Sequence, residues 1–169
     1  MTSLADAVAG RLVGWDGLAD GLDEGALRSE LAAEFTREPL PRPRGARGYV
    51  VLHGEREEPA KQIEVWLPVN SNEATTVEFR PPTGVEDDAL LADLGEPELI
   101  LGSNQFEVGA VVRDHVHAAR GITVAVAEPF DAGPRRVVYV QLYAPTTPQA
   151  YVTDVGQAGE ELRPYPRSD

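Results

Sequence analysis

The chain reads as an α+β protein: an antiparallel sheet with helices packed on one face, built as two similar halves. Three observations predict this. Apolar residues alternate with polar ones over several short runs, the period-2 signature of half-buried strands. A helical stripe precedes each set of strands. The segments between successive strands are too short for the crossovers that parallel pairing requires. At 169 residues and 42% hydrophobic content, the chain suits a single domain with a real core. Residues 1–155 form that domain, with halves at 1–84 and 85–155, and 156–169 is a polar, Pro-rich tail expected to be partly flexible.

Leu4, Val8, Leu12 and Val13 have helical spacing, interrupted by the turn Gly14 to Gly17. A second helix is expected from about Glu24 to Phe35. Asp23 is its N-cap, and Leu27, Leu31 and Phe35 form one stripe. Pro39, Pro41 and Pro43 end it and open an extended connector, PLPRPRGARG. Strands follow. Tyr49 to His53 is a short apolar run. Ile63, Val65 and Leu67 alternate with Gln62, Glu64 and Trp66; after a turn at Asn70-Ser71-Asn72, Val77 and Phe79 alternate with Thr76 and Glu78.

The second half opens on Glu86-Asp87-Asp88, acids suited to a helix N-terminus. Leu90, Leu91 and Leu94 supply the stripe, and Gly95 and Pro97 stop it. Strands are expected at Leu99 to Leu101, Ala110 to His117, Ile122 to Ala127 and Val137 to Tyr143. In the last, Val138, Val140 and Leu142 face one way, and Tyr139, Gln141 and Tyr143 the other. Gln149 to Val155 forms one or two final helical turns.

The segments GLDEGALRSELAAEF and GVEDDALLADLGEP share the skeleton A-L-x-x-(E/D)-L, and each precedes a set of strands. Over residues 85–145 the pattern also resembles the BamE and beta-lactamase-inhibitor-protein-like modules. The residues that carry the likeness are Leu90, Leu91, Leu94, Gly95, Pro97, Arg120, Gly121, Ile122, Val124, Val126, Val138, Val140 and Leu142. The resemblance implies a tandem helix-plus-sheet architecture and a habit of binding other proteins, with no active site to carry across. His115 and His117 stand where those modules place aromatics, and the chain has neither a lipoprotein cysteine nor their disulfide.

Composition narrows the function classes. With 28 acidic and 15 basic side chains, the net charge of −13 opposes nucleic acid and anionic membrane as partners. The absence of cysteine removes disulfides, thiolate metal sites and a thiol nucleophile. No apolar run approaches the roughly 18 residues of a membrane span, and the start MTSLADAVAG lacks a secretory pattern, so a cytoplasmic location is expected.

Candidate chemistry is sparse. His115 and His117 at i and i+2 of a strand share one face about 7 Å apart, a spacing that suits two metal ligands or an acid–base group. His53 is a third candidate ligand, and Asp114 or Glu128 would complete such a site. The alternative is that both histidines simply pack. Paired acids such as Glu57-Glu58 and Asp87-Asp88 read as solvated caps. No serine lies in a nucleophile elbow, and no phosphate-binding glycine loop is present, so no cofactor is expected. Trp66, Tyr139 and Tyr143 share a sheet face that would bind a partner if left open, or carry a helix if covered. Arg42, Arg44 and Arg47, with Arg37 nearby, form the basic cluster, either a grip on an acidic group or a solvated loop.

Two functions follow. The favoured one is a non-catalytic acidic module that engages a protein partner with a basic surface, of inhibitor or immunity type, with a homodimer left open. The alternative is a small-molecule-binding protein or an enzyme of secondary metabolism that uses His115 or His117.

Overall fold

The computed structural model describes residues 22–25, 28, 34–39, 49–55, 62–80, 85–86, 91–92, 94–103, 105, 107–131 and 133–155. Its strands are β1 (Leu22–Asp23), β2 (Glu34–Pro39), β3 (Tyr49–Glu55), β4 (Gln62–Pro68), β5 (Glu73–Ala74), β6 (Thr76–Arg80), β7 (Val85–Glu86), β8 (Leu99–Gly102), β9 (Ala110–His117), β10 (Ile122–Pro129) and β11 (Arg136–Tyr143). A short helix, α1 (Pro148–Ala150), widens into a π-type turn over Tyr151–Val155. The Thr147 hydroxyl accepts from the Ala150 N–H at 3.2 Å and caps α1.

The fold is α+β, built on an eight-strand antiparallel path in the order β2-β3-β4-β6-β11-β10-β9-β8. β7 extends it beside β11, and β1 pairs separately with β5. Two runs of sequential neighbours therefore meet at β6 and β11, in the middle of the sheet. No helix among the described residues is long and apolar enough to cross a membrane.

Strand register explains the core. Residues directly opposite each other share a face. Leu52, Val65, Val77, Leu142 and Ile122 form one apolar row across five strands. Ile63, Phe79, Val140 and Val124 form the next. All nine are buried, each burial contributing about 1.5–3 kcal/mol for side chains of this size. On β9 the two rows reach His117 and His115, opposite Ile122 and Val124, and the second passes on to Ile100 of β8.

Three sequence expectations need correction. The helix expected to run to Phe35 gives way to β2 by Glu34: Glu24, Gly25 and Arg28 are helical, but Phe35 pairs with Gly54 of β3 and is buried. Backbone pairing along β3 outweighs the i, i+4, i+8 stripe that suggested a helix. Glu86 does not open a helix either. It pairs with Arg136 beside β11, while Leu91, Ala92 and Leu94 are helical and Leu91 and Leu94 reach the core. Finally, the register between β10 and β11 shifts at Ala125/Val126, so Val126 opposes Val137 while Ala125 opposes Tyr139. This bulge gives Val138 no partner and puts Val137, not Val138, in the core with Val140 and Leu142. The Leu4–Val13 helix, the connector arginines Arg42, Arg44 and Arg47, and the tail 156–169 lie outside the described residues.

Gly121 ends the 3-10 turn Ala118–Arg120 in the left-handed region (φ 68°), donating to the Ala118 carbonyl at 3.0 Å. A Cβ there would collide with the Tyr143 carbonyl oxygen, whereas Gly109 (φ 79°) has open space. Gly121→Ala is therefore expected to cost about 3 kcal/mol, strain plus clash, and Gly109→Ala about 1 kcal/mol. Urea-unfolding midpoints of the two variants check the difference; equal losses would contradict it.

Candidate functional site

The second face of the sheet carries a polar row. His53, Glu64, Glu78, Gln141 and Thr123 stand opposite one another across β3, β4, β6, β11 and β10. Its centre is buried: Glu78, Gln141 and Thr123 are screened from solvent. Burying a carboxylate is costly unless it is paired and hydrogen-bonded. Glu78 meets both conditions. Its Oε1 lies 2.6 Å from Arg80 Nη2, and its Oε2 accepts from Gln141 Nε2 at 2.8 Å. Gln141 Oε1 in turn accepts from the Tyr151 hydroxyl at 3.4 Å.

The network spreads sideways through the tyrosines. The Arg80 guanidinium stacks over the Tyr139 ring at 5.5 Å and donates to Gln105 Oε1 at 3.1 Å. Tyr139 donates to Asp114 Oδ1 at 2.8 Å. Tyr143 donates to the Ile122 carbonyl at 3.2 Å and shares a hydrogen bond with Thr123 Oγ1 at 3.0 Å. Burial, then the Asp114 and Glu78 charges, pushes the Tyr139 phenol up. Burial also raises Tyr143, against the opposing Thr123 hydrogen bond. Both phenols therefore stay protonated at neutral pH and serve as donors.

Trp66, Tyr139 and Tyr143 do share this face, as their spacing predicts: Trp66 and Tyr143 both stand opposite Thr76. The face is not open, however. The three side chains are 1%, 3% and 3% exposed. Trp66 packs on Val51, Tyr139 on Ala125 and Ala127, and Tyr143 meets the Tyr151 ring at 5.1 Å. Buried aromatics offer a partner no area: of the two alternatives the face is covered, and the partner-binding role for these three residues is corrected.

His115 and His117 lie side by side on the opposite, apolar face. Burial first, then the Arg135 and Arg113 charges, lowers His115 to about 4. Burial, Arg120 and His115 itself lower His117, against Glu98. Both imidazoles are neutral at pH 7. His115 Nε2 is buried without a hydrogen bond, and the nearest carboxylate, Glu128 Oε1 at 3.9 Å, belongs to a group that pairs with Arg113 at 2.8 Å. His53 does not join them. It lies five strands away, roughly 24 Å by sheet spacing, on the other face, 3.6 Å from Glu64. Among the described residues, no group of three or more potential ligands is placed to hold a metal ion.

Sequence reasoning missed Glu78, Arg80 and Gln141, and named Asp114 only as a possible metal ligand, whereas it accepts from the Tyr139 hydroxyl. The available signal was Glu78 and Arg80 at i and i+2, opposite charges on one strand face. No family model, no curated protein and no solved structure matches this chain.

Two outcomes test this site. Glu78→Leu is expected to cost about 3 kcal/mol, because it strands the Arg80 guanidinium and a Gln141 donor, and adding Arg80→Met should recover part of the loss. A double variant less stable than the single would contradict the pairing. For His115, the folded value lies below the ordinary 6.5, so the unfolded chain takes up a proton that the folded chain refuses. Its contribution is intact above pH 6.5 and is lost as pH falls toward 4, amounting to about 2 kcal/mol between pH 7 and pH 5. His115→Gln should flatten the difference in unfolding free energy between those two pH values by that amount.

Proposed function

We propose that this chain is a non-catalytic acidic binding module whose partner is a protein with a basic surface. The observation that carries the reading is the disposition of charge. Arg28, Arg37, Arg80, Arg113 and Arg136 are tied to the chain's own glutamates at 2.6–2.9 Å. Meanwhile Glu34, Glu38, Glu73, Glu96, Glu98 and Asp131 are exposed. Among the described residues these acids face solvent, where they steer a cationic partner and accelerate its association.

The same reading takes the two halves as tandem copies of one helix-plus-sheet module, with helices on one face, of the kind the BamE and beta-lactamase-inhibitor-protein-like resemblance implies. The strand order supports it: two antiparallel runs, β2-β3-β4-β6 and β8-β9-β10-β11, meet through their last strands. A second reading, a small-molecule-binding protein or enzyme, is favoured by the two neutral, adjacent imidazoles of His115 and His117.

Affinity purification from the producing cells at low ionic strength, with elution by salt, tests the first reading. The expected result is a stoichiometric protein of high isoelectric point, whose association rate falls by tenfold or more, on the order expected for steered encounter, between ~20 and ~200 mM salt. A salt-independent partner, or a zinc- or metabolite-dependent melting shift abolished by His115→Ala/His117→Ala with no protein recovered, would sink it.

A further inference from the structure

We infer that the partner is gripped by an apolar knob at one end of the sheet, formed by Val108 and Phe130 on adjacent turns; this rests on the binding-module reading. Among the described residues the most exposed large apolar side chains are Val108 (88%), Phe130 (73%) and Val69 (51%). Val69 follows β4, at the opposite end of the sheet. Val108 precedes β9 and Phe130 follows β10, and Ala110 of β9 stands opposite Pro129 of β10. The Phe130 N–H donates to the Gly109 carbonyl at 3.0 Å, which locks the two turns edge to edge. Beneath them Ala110, Val112, Ala125, Ala127 and Tyr139 pack as a small core, so the knob stands on a rigid base.

Charge around the knob differs from the rest of the molecule. Glu107 pairs with Arg136 at 2.9 Å, and Glu128 with Arg113 at 2.8 Å. With Asp131 and Arg135 added, three acids and three bases flank the tip, a local balance on a chain of −13. An apolar contact made here leaves Glu107 and Glu128 with their arginines, whereas burial elsewhere on the acidic surface would strand carboxylates.

The occupant is a heterologous protein with an apolar pocket set in a basic surface. A second copy fits poorly: two protruding knobs are not self-complementary, and two bodies of −13 repel. Phe130 has the character of a binding hot spot, a rigid aromatic that fills a pocket while the net negative charge of the chain steers the approach.

The test places the photo-crosslinker p-benzoylphenylalanine at position 130, and separately at position 69, in the full chain in its producing cells. The expected result is an adduct from position 130 with a basic protein, none from position 69, and loss of the adduct on Val108→Asp. In addition, Phe130→Ala should weaken binding of the salt-eluted partner by about tenfold or more, with an unchanged melting temperature. An adduct of twice the chain mass overturns the assignment in favour of self-association. A partner recovered by affinity purification that crosslinks only from position 69, or that binds Phe130→Ala as tightly as the parent, overturns the knob and leaves the binding module standing. Absence of any partner in the purification overturns the underlying reading as well.

Discussion

The pairing of β6 with β11 is the constraint on which the rest of this fold depends. It joins the two runs of strands into one sheet, and its register decides both faces at once. Phe79 opposite Val140 and Val77 opposite Leu142 build the apolar side, while Glu78 opposite Gln141 builds the polar side. A slip of one residue would turn Glu78 into the apolar core and Phe79 onto the polar row, since side chains alternate strictly along a strand. The buried carboxylate thus acts as a register mark. It is tolerable in one alignment, where Arg80 and Gln141 meet it, and costly in the neighbouring ones.

That constraint also governs what the molecule offers to others. Because both faces are occupied, by aliphatic rows on one side and by the tyrosine–carboxylate network on the other, strand faces are poor places for a partner. What remains is the exposed acid and the ends of the sheet, where turns project side chains without a cross-strand neighbour. Phe130 and Val108 stand at one such end. The histidines, by contrast, carry the apolar rows onto β9. Their neutrality follows from burial beside arginines before any chemistry is invoked.

Much of this architecture was legible in the sequence, for a physical reason: period-2 alternation marks a strand whichever partner it finds. Ile63/Val65/Leu67 and Val140/Leu142 face the core as their spacing says. Alternation assigns a side but not its cover, which is why Trp66, Tyr139 and Tyr143 could be placed on one face while open and covered both stayed as alternatives. A bulge leaves no mark in composition, so the phase error at Val138 could not be read. β2 was misread because Leu27, Leu31 and Phe35 fall on a helical stripe, whereas the pairing that makes a strand of Glu34–Pro39 is supplied by β3, a segment distant in sequence. Alternation marks Glu78 only as the polar side of its strand: Arg80 lies on that same strand, but Gln141, which also meets the carboxylate, lies on β11, distant in sequence.

The most direct test of the central constraint is solution NMR of the cross-strand contacts between β6 and β11. Backbone proton contacts should connect Glu78 with Gln141 and Val77 with Leu142, in that register alone. Contacts that instead join Glu78 to Val140 or Leu142, or an absence of contacts between these two strands, would contradict the account of how this sheet is joined and why its buried carboxylate is tolerated.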